Sequence, residues 1–158
     1  MTLLCVTHNT MLELTPDMSD LRAIAYVSSA TYLMTVPQLE SLLVEARNLN
    51  LESSVTGVLL YSDGNFMQYF EGSEGAVSIT YERIRSSRRH KSIIELMNER
   101  IAERSFPDWQ MGFAQPTQSE LLSLSAARWQ SMASEAPGSL ATSPGLALLR
   151  GFWKGAPR

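Results

Sequence analysis

A tight turn, Asp63-Gly64, separates two strand-like runs and constrains the fold of this chain more than any other feature of its sequence. Asp-Gly between two runs of this kind is a strong signal for a β-hairpin. The first run covers residues 54–61, and the second covers residues 64–72. The chain is therefore expected to contain a pair of adjacent antiparallel strands.

The second run carries a polar residue where an apolar one is expected. Alternation along a strand places Phe66, Gln68 and Phe70 on one face, with Met67 and Tyr69 on the other. If the first face is covered, the Gln68 amide needs hydrogen-bond partners, because an unsatisfied buried amide costs roughly 1–3 kcal/mol. Two interpretations are open: an amide bonded to neighbouring backbone, or an amide directed at the polar edge of a ligand.

A strand and a helix are predicted before the hairpin. Residues 21–28 have apolar side chains on both faces, as a central strand does, and Tyr26 lies on the face that also carries Ile24. Thr35 and Pro37 are typical of a helix start. The apolar stripe that follows runs to residue 49, so Asn50 is predicted to end the helix; a ligand-facing amide is the alternative for this residue.

A second helix is predicted after the hairpin, with Ser73 as its N-cap. Its inward stripe consists of Val77, Thr80, Tyr81 and Ile84. A basic cluster closes the helix and comprises Arg85, Arg88, Arg89, His90 and Lys91. These cations either complement the helix dipole on a solvated face or bind a phosphate or diphosphate group.

Two further strands are predicted, one at residues 93–97 and one at residues 109–113. In the second, Trp109, Met111 and Phe113 are expected to share a face, and a stripe of this kind forms either core or part of a cofactor site. Residues 135–144 are predicted to form a linker, and residues 145–154 a terminal amphipathic helix. That helix is expected to pack back on the domain or on another subunit.

The element order predicts an α+β fold: a ferredoxin-like, five-stranded mixed sheet with two helices on one face, plus C-terminal helices. In that arrangement the first and third strands are neighbours, so Tyr26 and Gln68 can form a hydrogen bond. A pocket is then expected between the two helices, with Leu42 and Phe66 in its walls and the Arg89-His90 corner at its anionic end.

Composition excludes several function classes. The formal net charge of −3 gives the chain no overall basic field for nucleic acid. One cysteine excludes an internal disulfide or a cysteine-based zinc site, and with two histidines we expect no metal site. No apolar run approaches the roughly 20 residues needed to span a bilayer. The N-terminus is a poor signal peptide, so we expect a cytoplasmic protein without membrane contact.

Taken in order and spacing, a set of motifs resembles those of the BLUF domains, which are blue-light sensors that use flavin. The motifs are Tyr26 to Thr31, Leu42-Leu43 with Ala46-Arg47 and Asn50, Thr56-Gly57 to Tyr61, Asp63-Gly64 with Phe66, Gln68 and Glu71-Gly72, Arg88-Arg89-His90, and Phe106 with Trp109 and Met111. The resemblance predicts a BLUF domain at residues 21–114. Residues 1–20 would be a lead-in, and residues 115–158 a helical extension of the kind that short BLUF proteins carry.

The resemblance also implies a cofactor and a role for each matched residue. FAD would bind non-covalently between the two helices. Tyr26 resembles the electron and proton donor of the family, Gln68 the amide at the flavin N5/O4 edge, and Asn50 the residue that holds the pyrimidine end. Trp109 and Met111 resemble the pair that relays the rearrangement of the glutamine. Arg89 and His90 resemble residues that approach the ribityl and phosphate groups, and Leu42 and Phe66 resemble residues that pack on the ring. Leu49 departs from the family, because many members have a polar residue there.

The function implied is a blue-light photoreceptor without catalytic turnover, which signals to a downstream partner protein and is expected to form a homo-oligomer. Two alternatives on the same fold remain open: an acylphosphatase-like hydrolase that uses Arg89 and Asn50, and a ligand-binding regulatory module without photochemistry. The hydrolase would lack a Gly-rich phosphate cradle and would leave Tyr26 and Gln68 unexplained.

Overall fold

A computed structural model describes residues 20–130 and 143–155. The elements follow the order β1 Leu21–Ala30, α1 Val36–Ser53, β2 Thr56–Ser62, β3 Asn65–Ser73, α2 Glu74–Arg85, β4 His90–Ile101, β5 Gly112–Ala114, α3 Gln118–Ala126 and α4 Pro144–Gly155. The predicted lead-in before Asp20 and most of the predicted linker lie outside the described residues. Pro144, assigned to that linker, begins α4 instead.

The five strands form one mixed sheet in the order β4-β1-β3-β2-β5. All neighbours are antiparallel except β2 and β5, which are parallel. The predicted α+β fold is therefore confirmed, with β1 beside β3 near the centre of the sheet. Their register places Tyr26 directly opposite Gln68, and this pairing positions the candidate site.

The β2–β3 connection is the predicted hairpin. Asp63 and Gly64 have φ angles of 44° and 79°, as both central residues of a type I′ turn require. Ser62 pairs with Asn65 directly beyond the turn. The turn fixes the register of β3 and therefore which face of the sheet receives Gln68.

Helix α1 begins as predicted, but it ends later. The Thr35 side chain accepts a hydrogen bond from the backbone N–H of Gln38, and the Gln38 side chain accepts one from the backbone N–H of Thr35. The prediction that Asn50 ends the helix is wrong, because α1 continues to Ser53 and is capped by Ser54 at φ 56°. Asn50 is 2% exposed, and its side chain bonds to a neighbouring loop instead of capping the helix.

Strand β5 is shorter than predicted, since it begins at Gly112 and not at Trp109. Two side chains of α1 donate hydrogen bonds to the carbonyl groups just before β5. Asn50 Nδ2 donates to the Gln110 carbonyl at 2.5 Å, and Arg47 Nε donates to the Met111 carbonyl at 3.0 Å. These carbonyl groups are bonded to a helix, and the strand pairing with β2 begins at Gly112.

The two faces of the sheet carry different helices. Helices α1 and α2 cover the face of Tyr26 and Gln68, where they form two apolar clusters with the strands. On the opposite face, α3 and α4 pack on β2 and β3 through Leu121, Leu124, Leu146, Leu149 and Trp153. The prediction that the terminal helix packs back on the domain is confirmed. No helix in the described ranges is long and apolar enough to cross a membrane.

The contact between α4 and β5 depends on a glycine. A Cβ atom added to Gly112 would lie 2.5 Å from the Trp153 ring, whereas one added to Gly151 on the exposed side of α4 would meet nothing within 4 Å. We expect Gly112→Ala to destabilise the protein by about 1–3 kcal/mol through overpacking. Gly151→Ala, the matched control, should stabilise it by up to about 1 kcal/mol. Urea denaturation measures both; equal midpoints for the two variants would contradict this packing.

Candidate functional site

Tyr26 and Gln68 form a buried hydrogen-bonded pair at the centre of the sheet. The Tyr26 hydroxyl donates to Gln68 Oε1, and the two residues are 3% and 7% exposed. Burial raises the pKa of Tyr26 far above its ordinary value, and the nearby Tyr81 adds to the shift. The phenol therefore stays protonated and acts as the donor, which fixes the amide oxygen toward it.

The other end of the Gln68 amide points toward Met111. Gln68 Nε2 lies 3.7 Å from the Met111 sulfur. A thioether sulfur is a weak acceptor, so this contact leaves the amide NH2 group with donor capacity for a stronger partner. Gln68 is thus oriented by a hydrogen bond from Tyr26 at one end and by a weak contact with Met111 at the other.

Side chains of α1 hold Met111 in place. The carbonyl groups of Gln110 and Met111 accept hydrogen bonds from Asn50 and Arg47, respectively. The same Asn50 side chain lines the cavity beside Gln68. Helix α1 therefore contacts the Met111 segment directly, and Met111 in turn contacts Gln68.

His90 lies at the start of β4 within a defined network. Its Nε2 atom is 2.7 Å from the Ile84 carbonyl, which only accepts hydrogen bonds, so Nε2 carries the proton. Nδ1 lies 2.8 Å from the Ser28 hydroxyl, which can donate to it. The ring centroid is 5.9 Å from that of Tyr26 and 6.2 Å from that of Phe66. His90 therefore joins the end of α2 to the aromatic wall beside Tyr26.

These residues surround a cavity of about 540 Å³ between α1 and α2, within the range of cofactor sites. Its walls are apolar near Gln68 and basic at the other end. The apolar wall includes Leu42, Ala46, Leu49, Leu59, Phe66 and Ile84, and the basic end includes Arg83, Arg88 and Arg89 with Ser86 and Ser87. The cavity therefore suits a ligand with a flat apolar part and an anionic tail.

An ion pair crosses the basic end of this cavity. Arg89 lies 2.8 Å from Glu45 of α1, and both side chains are substantially exposed. Exposed pairs of this kind contribute at most about 1 kcal/mol, so the guanidinium can exchange Glu45 for a ligand anion at little cost.

Thr80 provides an independent test of whether a ligand fits here. Its hydroxyl lies on α2, is 2% exposed, lines the cavity and has no hydrogen-bond partner. A buried polar atom of this kind costs roughly 1–3 kcal/mol unless a partner is present, and the polar periphery of a flavin would supply one. The signal in the sequence is a polar residue within an apolar helical stripe, and that pattern alone predicts Thr80 only as part of the inward-facing stripe.

We expect Thr80→Val to weaken flavin binding roughly tenfold, since it removes the hydroxyl and keeps the branched shape. Thr80→Ser retains the hydroxyl and should bind within about threefold of the unchanged protein. Titration of the flavin-free protein followed by flavin fluorescence measures both. Tighter or equal binding by the valine variant would mean that the hydroxyl does not face the ligand.

The structure brings together all but one of the predicted site residues. Tyr26, Leu42, Asn50, Phe66, Gln68, Arg89, His90 and Met111 line the cavity. Trp109 does not, because its ring packs on Trp153 of α4 at a centroid distance of 5.6 Å. The prediction that Trp109 shares a face with Met111 and Phe113 is therefore wrong: Trp109 and Met111 precede β5, so strand alternation does not apply to them.

Among the described residues, no group of three His, Cys, Asp or Glu side chains is arranged to hold a metal ion. The cavity walls instead provide aromatic, amide and hydroxyl groups beside a basic end. That donor set suits an organic cofactor with phosphate groups and not a bare cation.

Comparison with known proteins gives the same result as the geometry. A photoactivated adenylate cyclase subunit beta from Euglena longa is 35% identical over 92 residues, which are 58% of this chain and 11% of that protein. The blue light- and temperature-regulated antirepressor BluF of Escherichia coli is 35% identical over 71 residues, which are 45% of this chain and 18% of that protein. The chain thus spans a small part of these curated relatives.

A solved structure also matches the fold. BlrB, a BLUF protein determined in its dark state, aligns with a TM-score of 0.59 and 31% identity, over 68% of this chain and 80% of that one. The family profile described as "BLUF: Sensors of blue-light using FAD" matches residues 21–112, which is more than half of the chain. The chain belongs to the BLUF family.

Proposed function

We propose that this chain is a blue-light photoreceptor in which FAD occupies the cavity between α1 and α2. Excitation of the flavin would change the hydrogen bonds of the Gln68 side chain. The observation that carries the proposal is the continuous chain from Tyr26 through Gln68 to Met111 along one wall of that cavity. Residues 21–114 would form the flavin-binding unit, and residues 115–158 a helical extension.

Each lining residue has a role that follows from its chemistry. Gln68 would bond the N5/O4 edge of the flavin, and Asn50 would hold its pyrimidine end. Leu42 and Phe66 would pack on the ring. Arg89 and His90 lie at the basic end and would approach the ribityl and phosphate groups of FAD. FMN carries a single phosphate there and lacks the diphosphate.

The light response would depend on a donor and a two-faced amide. The bound flavin supplies light absorption and, once excited, an electron-accepting ring. Tyr26 would transiently give up an electron to it and pass its proton along the existing hydrogen bond to Gln68 Oε1, and both would return to the phenol once the amide has rearranged. Rotation or tautomerisation of the Gln68 amide then exchanges acceptor for donor at nearly constant volume.

Transmission would run through the segment that precedes β5. A rearranged Gln68 amide changes its contact with Met111, and Trp109 of the same segment packs on Trp153 of α4. A downstream domain or partner protein would receive the signal at the α3–α4 face, with contacts in a homo-oligomer as a further route. The cyclase and antirepressor names of two relatives support output of this kind.

Purified protein tests the proposal in two steps. Supplied with FAD or FMN in the dark, the protein should become yellow and prefer FAD, because only FAD carries the diphosphate that suits Arg83, Arg88 and Arg89. Blue light should then move the flavin absorption band to longer wavelength, with full reversal in the dark. A protein that takes up no flavin, or that hydrolyses an acyl phosphate instead, would contradict the proposal.

A further inference from the structure

Glu71 is a fully buried carboxylate that the site described above does not use. It lies on β3, three residues after Gln68, and its side chain points to the opposite face of the sheet, where it is 0% exposed. An ionisable group in this position requires several partners, because removal of a charge from water is costly. The partners identify what Glu71 does.

Two of the four donors to the Glu71 side chain come from the segment between β4 and β5, and the other two are the Tyr69 and Thr56 hydroxyl groups. The backbone N–H of Ser105 donates to Oε2 at 2.9 Å, and that of Phe106 donates to Oε1 at 2.6 Å. The Tyr69 hydroxyl also donates to Oε2 at 2.9 Å. Burial raises the pKa of Glu71, and these donors together with the Arg104 guanidinium counteract the rise.

Arg104 reinforces the same attachment from the other side. Its guanidinium donates to the Thr56 hydroxyl at 2.8 Å, to the Ser54 carbonyl at 2.8 Å and to the Glu71 carbonyl at 3.3 Å. Residues 104–106 are therefore fastened to β2 and β3 by both side chain and backbone. The attachment lies five residues before Met111.

The residues between Phe106 and Met111, here named the switch segment, are consequently held at both ends. Glu71 fixes the first end, and the pairing of Gly112 with Val58 in β5 fixes the second. Between these points the Trp109 carbonyl accepts a hydrogen bond from Gly57 N–H at 2.8 Å. Met111 therefore belongs to a segment that is attached on both sides, and the same segment contacts α4 through Trp109.

We infer that Glu71 is a positioning residue of the light switch, which sets the position of Met111 relative to Gln68 by anchoring the start of the switch segment to the strand that carries Gln68. This inference rests on the proposed light function. A carboxylate is required because each of its oxygens accepts one backbone N–H group, whereas a glutamine amide must turn its NH2 group toward one of them.

Glu71→Gln tests the inference, with Tyr69→Phe as the matched control. Both variants remove a hydrogen bond at the same carboxylate, but only the first replaces an oxygen that accepts a backbone N–H group of Ser105 or Phe106. In Glu71→Gln we expect the amide protons of Ser105 and Phe106 to exchange roughly tenfold faster with solvent. The light-induced shift should shrink, and dark recovery should be about tenfold faster, since the lit arrangement is less firmly held.

Tyr69→Phe should keep the shift and the recovery rate of the unchanged protein. A Glu71→Gln variant with bound flavin, an unchanged shift and unchanged recovery would overturn the inference while leaving the photoreceptor intact. Loss of the light-induced shift in the unchanged protein would instead refute the proposed function.

A measurement on the unchanged protein covers the case in which Glu71→Gln does not fold. Amide resonances recorded in the dark and under blue light should shift at Gln110 and Met111 and stay constant at Ser105 and Phe106. Equal shifts at both positions would show that Glu71 is not a fixed anchor.

Discussion

Replacement of Tyr26 by phenylalanine is expected to give a protein that still binds flavin and no longer responds to blue light. The substitution removes one hydroxyl and keeps the ring, which packs edge-on to Phe70 and stacks with Tyr81. Flavin binding should survive because the cavity walls are unchanged. The light response should be lost because the donor and the hydrogen bond to Gln68 are both gone. We expect a stability cost of about 1 kcal/mol.

Absorption spectra recorded before and after illumination measure this effect, with flavin content as the normalisation. Tyr61→Phe is the matched control, since Tyr61 is also buried on this side of the sheet and its hydroxyl accepts a hydrogen bond from the Met34 backbone. That variant should retain the full light-induced shift. A normal shift in Tyr26→Phe would refute the donor assignment.

Gln68→Leu is expected to abolish the response by a different route. Leucine fills a similar volume, so flavin should remain bound, but it offers neither the acceptor used by Tyr26 nor the NH2 group directed at Met111. The Tyr26 hydroxyl would lose its partner at a cost of roughly 1–3 kcal/mol. Without a two-faced amide, illumination has no hydrogen-bond arrangement to exchange.

The same absorption measurement applies, and Gln110→Leu provides the control. Gln110 has an exposed side chain and contributes only its backbone carbonyl to Asn50. This variant should keep the shift. Retention of the shift in Gln68→Leu would contradict the switch mechanism, even if Tyr26→Phe behaved as expected.

The core of the site was predictable because it depends on strand order and register. The Asp63-Gly64 turn fixes the face of Gln68, and the ferredoxin-like order makes β1 its neighbour, so the pairing with Tyr26 follows. Local sequence rules are sufficient where neighbouring elements determine geometry.

Predictions failed where long-range contacts override local preference. Asn50 has the propensity of a helix end, but its bond to the Gln110 carbonyl makes it more favourable inside α1. Strand β5 begins only at Gly112, so the alternation on which the placement of Trp109 depended does not extend to Trp109. Thr80 is visible as a site residue only in three dimensions, because its significance lies in a missing hydrogen-bond partner.

The central claim is that light changes the hydrogen bonds of the Gln68 side chain while Tyr26 stays in place. Infrared difference spectra between light and dark, recorded on protein that carries isotope-labelled glutamine, test it most directly. We predict label-sensitive amide bands in the unchanged protein that disappear in Gln68→Leu and persist in Gln110→Leu. A reversible shift of the flavin band without any label-sensitive glutamine band would contradict the account.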